Sequence, residues 1–284
     1  MKKILFLSVL AISLVQASFA QKDINVMTYN IRLGIASDGD NQWNNRKKNL
    51  ASILTYFEAD ICGMQEAFFS QIQDLEKLLP DTYAWVGKGR DDGKEAGEFS
   101  CIFYRKDKYT MLENNTFWLN EHPETVGLGW EAKYNRVVTY AKFERVADKK
   151  IFFVFNTHFD HEAVVARRES AKLLLSKIKT IAGQMPAIIT GDFNATPTSE
   201  PIEILTNTNN PDHLDDSENL TLTPHFGPYS SFTGFQAREQ DGMRIDYIFL
   251  KNADFKVKKH ATLSPSWNGR FASDHHPVLA TISF

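Results

Sequence analysis

The sequence predicts an α/β fold in which two packed, mixed β-sheets are flanked by helices. Three observations carry this. The chain is a steady series of short apolar runs rich in Val, Ile, Phe and Tyr, broken by polar turns, as buried or half-buried strands require. Two stretches read strand–helix–strand, and a helical crossover makes the strands it joins parallel. The other connections are mostly short and need no helix, which suits antiparallel neighbours. Two similar half-units, each a mixed sheet with an outer helix, then bury their faces against one another.

Strands are expected over residues 24–32, 60–65, 99–105, 109–119, 136–145, 151–158, 187–192, 244–250, 255–263 and 276–284. Helices are expected over 44–57, 70–79 and 163–181. The first carries Leu50, Ile53, Leu54 and Phe57 at helical spacing. The second opens on Ser70 as a cap and buries Ile72, Leu75 and Leu79. The third carries Ala171, Leu174, Ile178 and Ile181, with Gly183 as its stop. There is no repeat, no low-complexity tract and no long linker.

Residues 1–20, MKKILFLSVLAISLVQASFA, have the basic start, apolar run and small residues (Ser18, Ala20) of a secretory signal peptide cut before Gln21. The apolar run is shorter than the ~20 residues of a membrane span. No Cys follows the expected cut, so no lipid anchor is expected. The mature chain, 21–284, is read as one domain in a periplasm or outside the cell, with no membrane span and no obligate protein partner. Loss of Lys2 and Lys3 takes the formal charge from −3 to −5. With no Lys/Arg-rich run, long duplex nucleic acid is a poor partner. Cys62 and Cys101 both sit in apolar runs, and two buried free thiols are the plainer reading over a disulfide.

The chemistry collects at strand ends. Asn30 ends the first strand, and Gln65 and Glu66 the second. Asn156 and His158 close a later one, Asp192 and Asn194 the next. The polarity then reverses: Asp246 stands near the start of its strand, and Asp274 and His275 precede the last. If those two strands run against the others, all these groups meet on one edge. Each motif alone is weak, since a lone Asn or Gln is usually a turn residue. GDFN is stronger, because alternation puts Asp192 and Asn194 on one side and Phe193 on the other. Asp246 is a charge inside an apolar run, which calls for a partner: Arg244 nearby, or a remote group.

TYNIR, DICGMQE, NTHFDH, ITGDFNATP, RIDYIF and SDHHPV, in this order, resemble the endonuclease/exonuclease/phosphatase superfamily with its DNase I-like fold. The match spans nearly the whole mature chain. It is closest to an uncharacterised secreted bacterial branch, with some likeness to deadenylase-type members. The resemblance implies a four-layer α/β/β/α sandwich and divalent-metal-dependent cleavage of phosphate esters.

It also implies roles. Glu66 would be the principal ligand of Mg²⁺ or Mn²⁺, helped by Asn30, with Asp274 close to the metal. Asp192 would orient or deprotonate the attacking water. Asn194 would hold a phosphate oxygen or the nucleophile, and His158 would donate to a phosphate oxygen. His275 would be the catalytic imidazole and Asp246 the carboxylate paired with it. His276, by strand alternation, points away. Arg136 is read equally as a phosphate contact and as a strand-edge charge. Tyr104 reads as core, while His161 and Arg167 are placed at the rim or in ordinary surface roles. Of Trp118, Trp130, Phe232, Phe235 and Trp267, one or two are expected at the mouth.

The expected substrate is a phosphate ester, either short nucleic acid or a small phosphorylated molecule. The alternative is a non-catalytic phospholigand-binding protein on the same scaffold, which predicts loss of one or more of these residues; all are present. No GxSxG elbow supports a serine hydrolase. No HExxH or Cys/His spacing marks a zinc site.

Overall fold

The computed structural model describes residues 23–284, so the expected leader lies outside the described residues. The elements in chain order are β1 (Ile24–Asn30), α1 (Trp43–Tyr56), β2 (Ile61–Gln65), α2 (Phe69–Leu78), β3 (Tyr83–Val86), β4 (Ile102–Arg105), β5 (Tyr109–Trp118), β6 (Val137–Arg145), β7 (Ile151–His158), α3 (Val164–Ala182), β8 (Ala187–Asp192), α4 (Glu200–Thr206), β9 (Asp215–Asp216), β10 (Asp246–Lys251), β11 (Lys256–Thr262), β12 (Ser266–Trp267), β13 (Arg270–Phe271) and β14 (Val278–Ser283).

They form two six-stranded mixed sheets, ordered β11-β14-β1-β2-β4-β3 and β5-β6-β7-β8-β10-β9. Each sheet has one parallel pair, β1 with β2 and β7 with β8, and in each the crossover is a helix. β14 runs antiparallel to β1, and β10 antiparallel to β8. The two late strands therefore do run backwards, and their starts lie beside the ends of the others.

Three apolar clusters make the four layers. α1 and α2 cover the first sheet through Leu50, Leu54, Ile72 and Leu75, packed with Tyr29 and Phe103. α3 and α4 cover the second through Leu174, Ile178, Ile202 and Leu205, packed with Phe155 and Phe249. Between the sheets lie Val26, Ile61, Phe152, Ile188, Ile248 and Ile282.

Some expectations need correction. β3, α4 and the short strands β9, β12 and β13 carry no strong period and were not expected. Ser70 does not cap α2: it lies inside the helix, and the Phe68 N–H instead donates to Gln71 Oε1 at 3.1 Å. Gly183 does end α3, at φ 59°. Cys62 and Cys101 are buried free thiols. No helix among the described residues is long and apolar enough to cross a membrane.

Gln65 and Asn156, noted as polar strand-end residues beside Glu66 and His158, lie between the sheets, fully buried. Gln65 Nε2 donates to Asn156 Oδ1 at 2.7 Å and to Thr28 Oγ1 at 3.1 Å. Asn156 Nδ2 donates to the carbonyls of Met64 (2.8 Å) and Cys101 (2.9 Å), and Thr190 Oγ1 donates to Asn156 Oδ1 at 3.0 Å. This clasp closes over Gly63, where a Cβ would lie 2.1 Å from Thr190 Oγ1 and 2.4 Å from Asn156 Oδ1. Gly63→Ala is expected to lower stability by about 1–3 kcal/mol through overpacking. Urea unfolding of the two proteins checks this, and an unchanged midpoint would contradict it.

Candidate active site

At the end of the clasped sheets the strand termini open into one cavity of about 630 Å³. Its lining includes Arg32, Glu66, Arg90, Asp91, Glu98, Tyr134, Arg136, His158, His161, Asp192, Asn194, Phe232, Asp274 and His275. The parallel register of β7 and β8 sets His158 beside Asp192, and the antiparallel register of β8 and β10 sets Asp192 beside Asp246.

Asn30 is the tie between the two sheets. Its Nδ2 donates to Glu66 Oε1 at 3.0 Å and to Asp192 Oδ2 at 2.9 Å, while its Oδ1 accepts the Arg32 N–H. Glu66 leaves β2 in a left-handed conformation, φ 60°, and its Oε2 accepts the Leu33 N–H at 2.9 Å. Both contacts on this carboxylate come from neutral donors. Asp274 holds its place through its carbonyl, which accepts from Thr233 N, Thr233 Oγ1 and Gly234 N, and its carboxylate is 3.7 Å from Arg32 Nε. Burial and then the neighbouring Glu66 push the Asp274 carboxyl up, against the pull of His275, Arg32 and Arg46. Two carboxylates thus share a wall, with Arg32 the cation nearest to Asp274. That donor set, two carboxylates with hard oxygens, fits a divalent cation of the hard class. Asn30, by its orientation, contributes by holding Glu66.

His275 Nδ1 and Asp246 Oδ2 are 2.8 Å apart, and His275 Nε2 lies 3.8 Å from Asp192 Oδ2. Burial alone would lower this imidazole, but the carboxylates of Asp246 and then Asp192 outweigh it and push it up to about 10. Phe232 packs edge-on against the ring at 5.0 Å. Asp192 is raised to about 7 by burial and by the adjacent Asp246, although His275, Asn30 and the Asn194 N–H pull the other way. Asn194, at φ 47°, donates its N–H to Asp192 Oδ1 at 2.9 Å and its Nδ2 to the Phe159 carbonyl at 3.1 Å. Arg244 is not the partner of Asp246: it pairs with Asp216 and Glu218. His276 turns away and packs on Phe271.

His158 stands 3.6 Å from Asp192 through Nε2 and 3.7 Å from Glu98 through Nδ1. Burial, then Arg136 and Arg90, hold it well below its ordinary value, so it is neutral. Arg136 is no strand-edge charge. It is buried, 3.4 Å from Asp160 and 2.8 Å from His161 Nδ1, and it lines the cavity. His161 lines the rim, whereas Arg167 bonds the Asp160 carbonyl and does not reach the cavity. Tyr104 is core. Of the five aromatics named above, Phe232 alone lines the cavity.

Sequence reasoning missed Glu98, Arg90, Arg32, Asp91 and Tyr134. Glu98 had a readable signal, since it precedes the buried run FSCIFY as Asp246 precedes YIFL. The other four sit on loops without a period. Among the described residues, two groups of His and acidic side chains are compact enough to touch one cation. One is Asp192, Asp246 and His275, where the protonated imidazole already serves as the cation. The other is Glu218, His225 and His260, outside this cavity, where Arg244 lies 2.6 Å from Glu218 and the imidazoles hydrogen-bond each other.

The model of the Endonuclease/Exonuclease/phosphatase family matches residues 27–275. The chain belongs to that family. Within it, the chain is 42% identical to an endonuclease/exonuclease/phosphatase from Bacteroides vulgatus, with a TM-score of 0.86 over 93% of this chain and 99% of that one. It is 34% identical to the mannosyl-6-phosphatase Bt3783 of Bacteroides thetaiotaomicron, with a TM-score of 0.85 over 92% and 100%. The expected likeness to deadenylase-type members is present too. Drosophila melanogaster Nocturnin is 28% identical over 202 residues, which are 63% of this chain and 30% of that protein. The family and its neighbours make the chain a phosphoesterase-type hydrolase.

The His275–Asp246 pair gives a pH test. In metal-free protein His275 is expected to stay protonated at neutral pH and to titrate near 10, against about 6.5 in the unfolded chain. The folded state then holds the proton more tightly. Its contribution to stability is complete below about 6.5 and is lost as pH rises towards 10. Imidazole NMR titration of the wild type and of Asp246→Asn, which should titrate lower, checks this. A wild-type ring titrating near 6.5 would contradict it.

Proposed function

We propose that the protein is a secreted, divalent-metal-dependent phosphoesterase acting on a small phosphomonoester, a sugar phosphate being the favoured class. The observation that carries the reading is the meeting of Glu66, His158, Asp192, Asn194 and His275 around one cavity, from strands of both sheets. Glu66 and Asp274 would hold Mg²⁺ or Mn²⁺, with Asn30 orienting Glu66, and a bound ion would supply neutralisation of phosphate charge and polarisation of the ester. Asp192 accepts the proton of the attacking water. Two N–H donors, from Asn30 and Asn194, fix its carboxylate for that task. The His275 imidazolium, backed by Asp246, stabilises the charge that grows on the phosphoryl oxygens. His158, neutral, donates a hydrogen bond to a phosphoryl oxygen, and Arg136 adds a fixed cation beside it.

The choice of a small monoester rests on three supports. The chain is acidic after loss of the leader, the cavity's Lys/Arg lining among the described residues is confined to Arg32, Arg90 and Arg136, and a mannosyl-6-phosphatase is among its similar structures. A chain of nucleotides would ask for a basic track along its backbone. The segment 1–20 supports export to the periplasm or beyond.

Purified protein is expected to hydrolyse p-nitrophenyl phosphate with Mg²⁺ or Mn²⁺ and to stop with EDTA. His275→Ala should lose about 10²–10³-fold in kcat while its thermal unfolding stays cooperative. Near-normal turnover by that variant would sink the assignment. Glu66→Gln should move the Mg²⁺ activation curve to higher concentration, and an unchanged curve would remove Glu66 from the ion site.

A further inference from the structure

We infer that Asp91 and Tyr134, with Asn135 holding Asp91 in place, form a hydroxyl-binding subsite of the same cavity, which selects the sugar half of a sugar phosphate. The inference rests on the phosphoesterase reading above and narrows it.

Asp91 is held in place although half its side chain faces solvent (49%). The loop that carries it bonds to itself. Gly89 N–H donates to Lys94 O, Arg90 N–H to Glu98 O and Asp91 N–H to Ala96 O. Asp92 Oδ1 accepts from the N–H groups of Lys94 (2.7 Å) and Ala96 (2.9 Å). Gly97, at φ 80°, lies directly under the carboxylate: a Cβ there would meet Asp91 Oδ2 at 2.2 Å. A second loop, between β5 and β6, latches onto this one, because Asn135 Nδ2 donates to Asp91 Oδ1 at 3.1 Å. Asp91 Oδ2 accepts nothing among the described residues. A fixed carboxylate, one oxygen of which packs over Gly97 and accepts no hydrogen bond among the described residues, thus lines the cavity that also holds Glu66 and His275.

Tyr134, next to Asn135, is also set rigidly. Arg90 and Arg136 place their guanidinium groups 5.4 and 6.0 Å from its ring centroid, and the His161 ring stacks at 5.8 Å with an interplanar angle of 20°. Tyr134 lines the cavity, is 45% exposed, and its hydroxyl has no hydrogen-bond partner among the described residues. A fixed acceptor beside a fixed donor suits a polyhydroxyl compound, whose neighbouring hydroxyls both give and accept hydrogen bonds. A second phosphate would meet the half-exposed Asp91 carboxylate, whose neighbouring cation Arg90 lies 3.9 Å away and is already paired with Glu98 at 2.6 Å.

The test compares kcat/KM for mannose 6-phosphate and glucose 6-phosphate with kcat/KM for p-nitrophenyl phosphate, all with Mg²⁺. Wild-type protein should prefer at least one sugar phosphate. Asp91→Asn and Tyr134→Phe should each lower that preference ratio by about 10- to 100-fold, mostly through KM, as loss of a hydrogen bond to a positioned polar partner does. A wild type with no preference, or unchanged ratios in both variants, overturns the subsite and leaves the phosphoesterase reading standing. Cleavage confined to short oligonucleotides overturns the sugar class. No hydrolysis of any of these compounds with Mg²⁺ or Mn²⁺ overturns the reading beneath it.

Discussion

The site depends on the buried amide clasp between the sheets. Apolar side chains alone would hold two sheets together but would leave their offset loosely specified. Gln65 on β2 and Asn156 on β7 remove that freedom. Buried amides are costly unless their hydrogen bonds are met, and here Thr28, Thr190 and the carbonyls of Met64 and Cys101, from both sheets, meet those of Gln65 Nε2 and of Asn156, leaving only Gln65 Oε1 without a partner. A slide of one sheet past the other would break several of these bonds at once. Gly63 lets the partners approach because it carries no Cβ. The clasp sits one residue before Glu66 and two before His158, so the offset it fixes is that of the two halves of the site.

Asn30 repeats the device at the cavity itself, with one amide nitrogen shared between Glu66 from the first sheet and Asp192 from the second. The backbone is arranged for it. Glu66 and Asn194 both follow a strand end in the left-handed region, where a non-glycine residue is uncommon and strained. A glycine would relieve the strain and lose the side chain. The strain is concentrated where the strands stop pairing and the functional groups begin.

Much of this was legible in the sequence because strand geometry is regular. Short apolar runs located the central strands, and the helices between two pairs of them made those pairs parallel. The reversed polarity of Asp246 and Asp274–His275 then placed all the strand-end groups on one edge. The same rule, applied to Glu98 before FSCIFY, would have added the carboxylate beside His158. It failed for Gln65 and Asn156, which end strands as site residues do but point into the inter-sheet layer. A polar residue at a strand end can turn towards either, and sequence does not say which without the register. Asp91 and Tyr134 were out of reach for another reason. They stand on loops, where position is set by self-bonded turns and cross-loop contacts that no periodicity records.

The two histidines show how far environment, more than residue type, sets the chemistry. His158 and His275 are both buried, and both lie within 4 Å of Asp192 Oδ2. Burial penalises the cation in each. What differs is the next neighbour. His275 has Asp246 at 2.8 Å, and two carboxylates outweigh the burial, so the ring is a cation. His158 has Arg136 and Arg90 beyond it, which add to the burial, so the ring is neutral. A group bonded to both can receive charge stabilisation from one imidazole and a neutral hydrogen bond from the other at the same pH. Asp192 between them carries the complementary perturbation, raised to about 7 by burial and Asp246. A carboxylate poised there can take up a proton near neutrality, which an exposed aspartate would release.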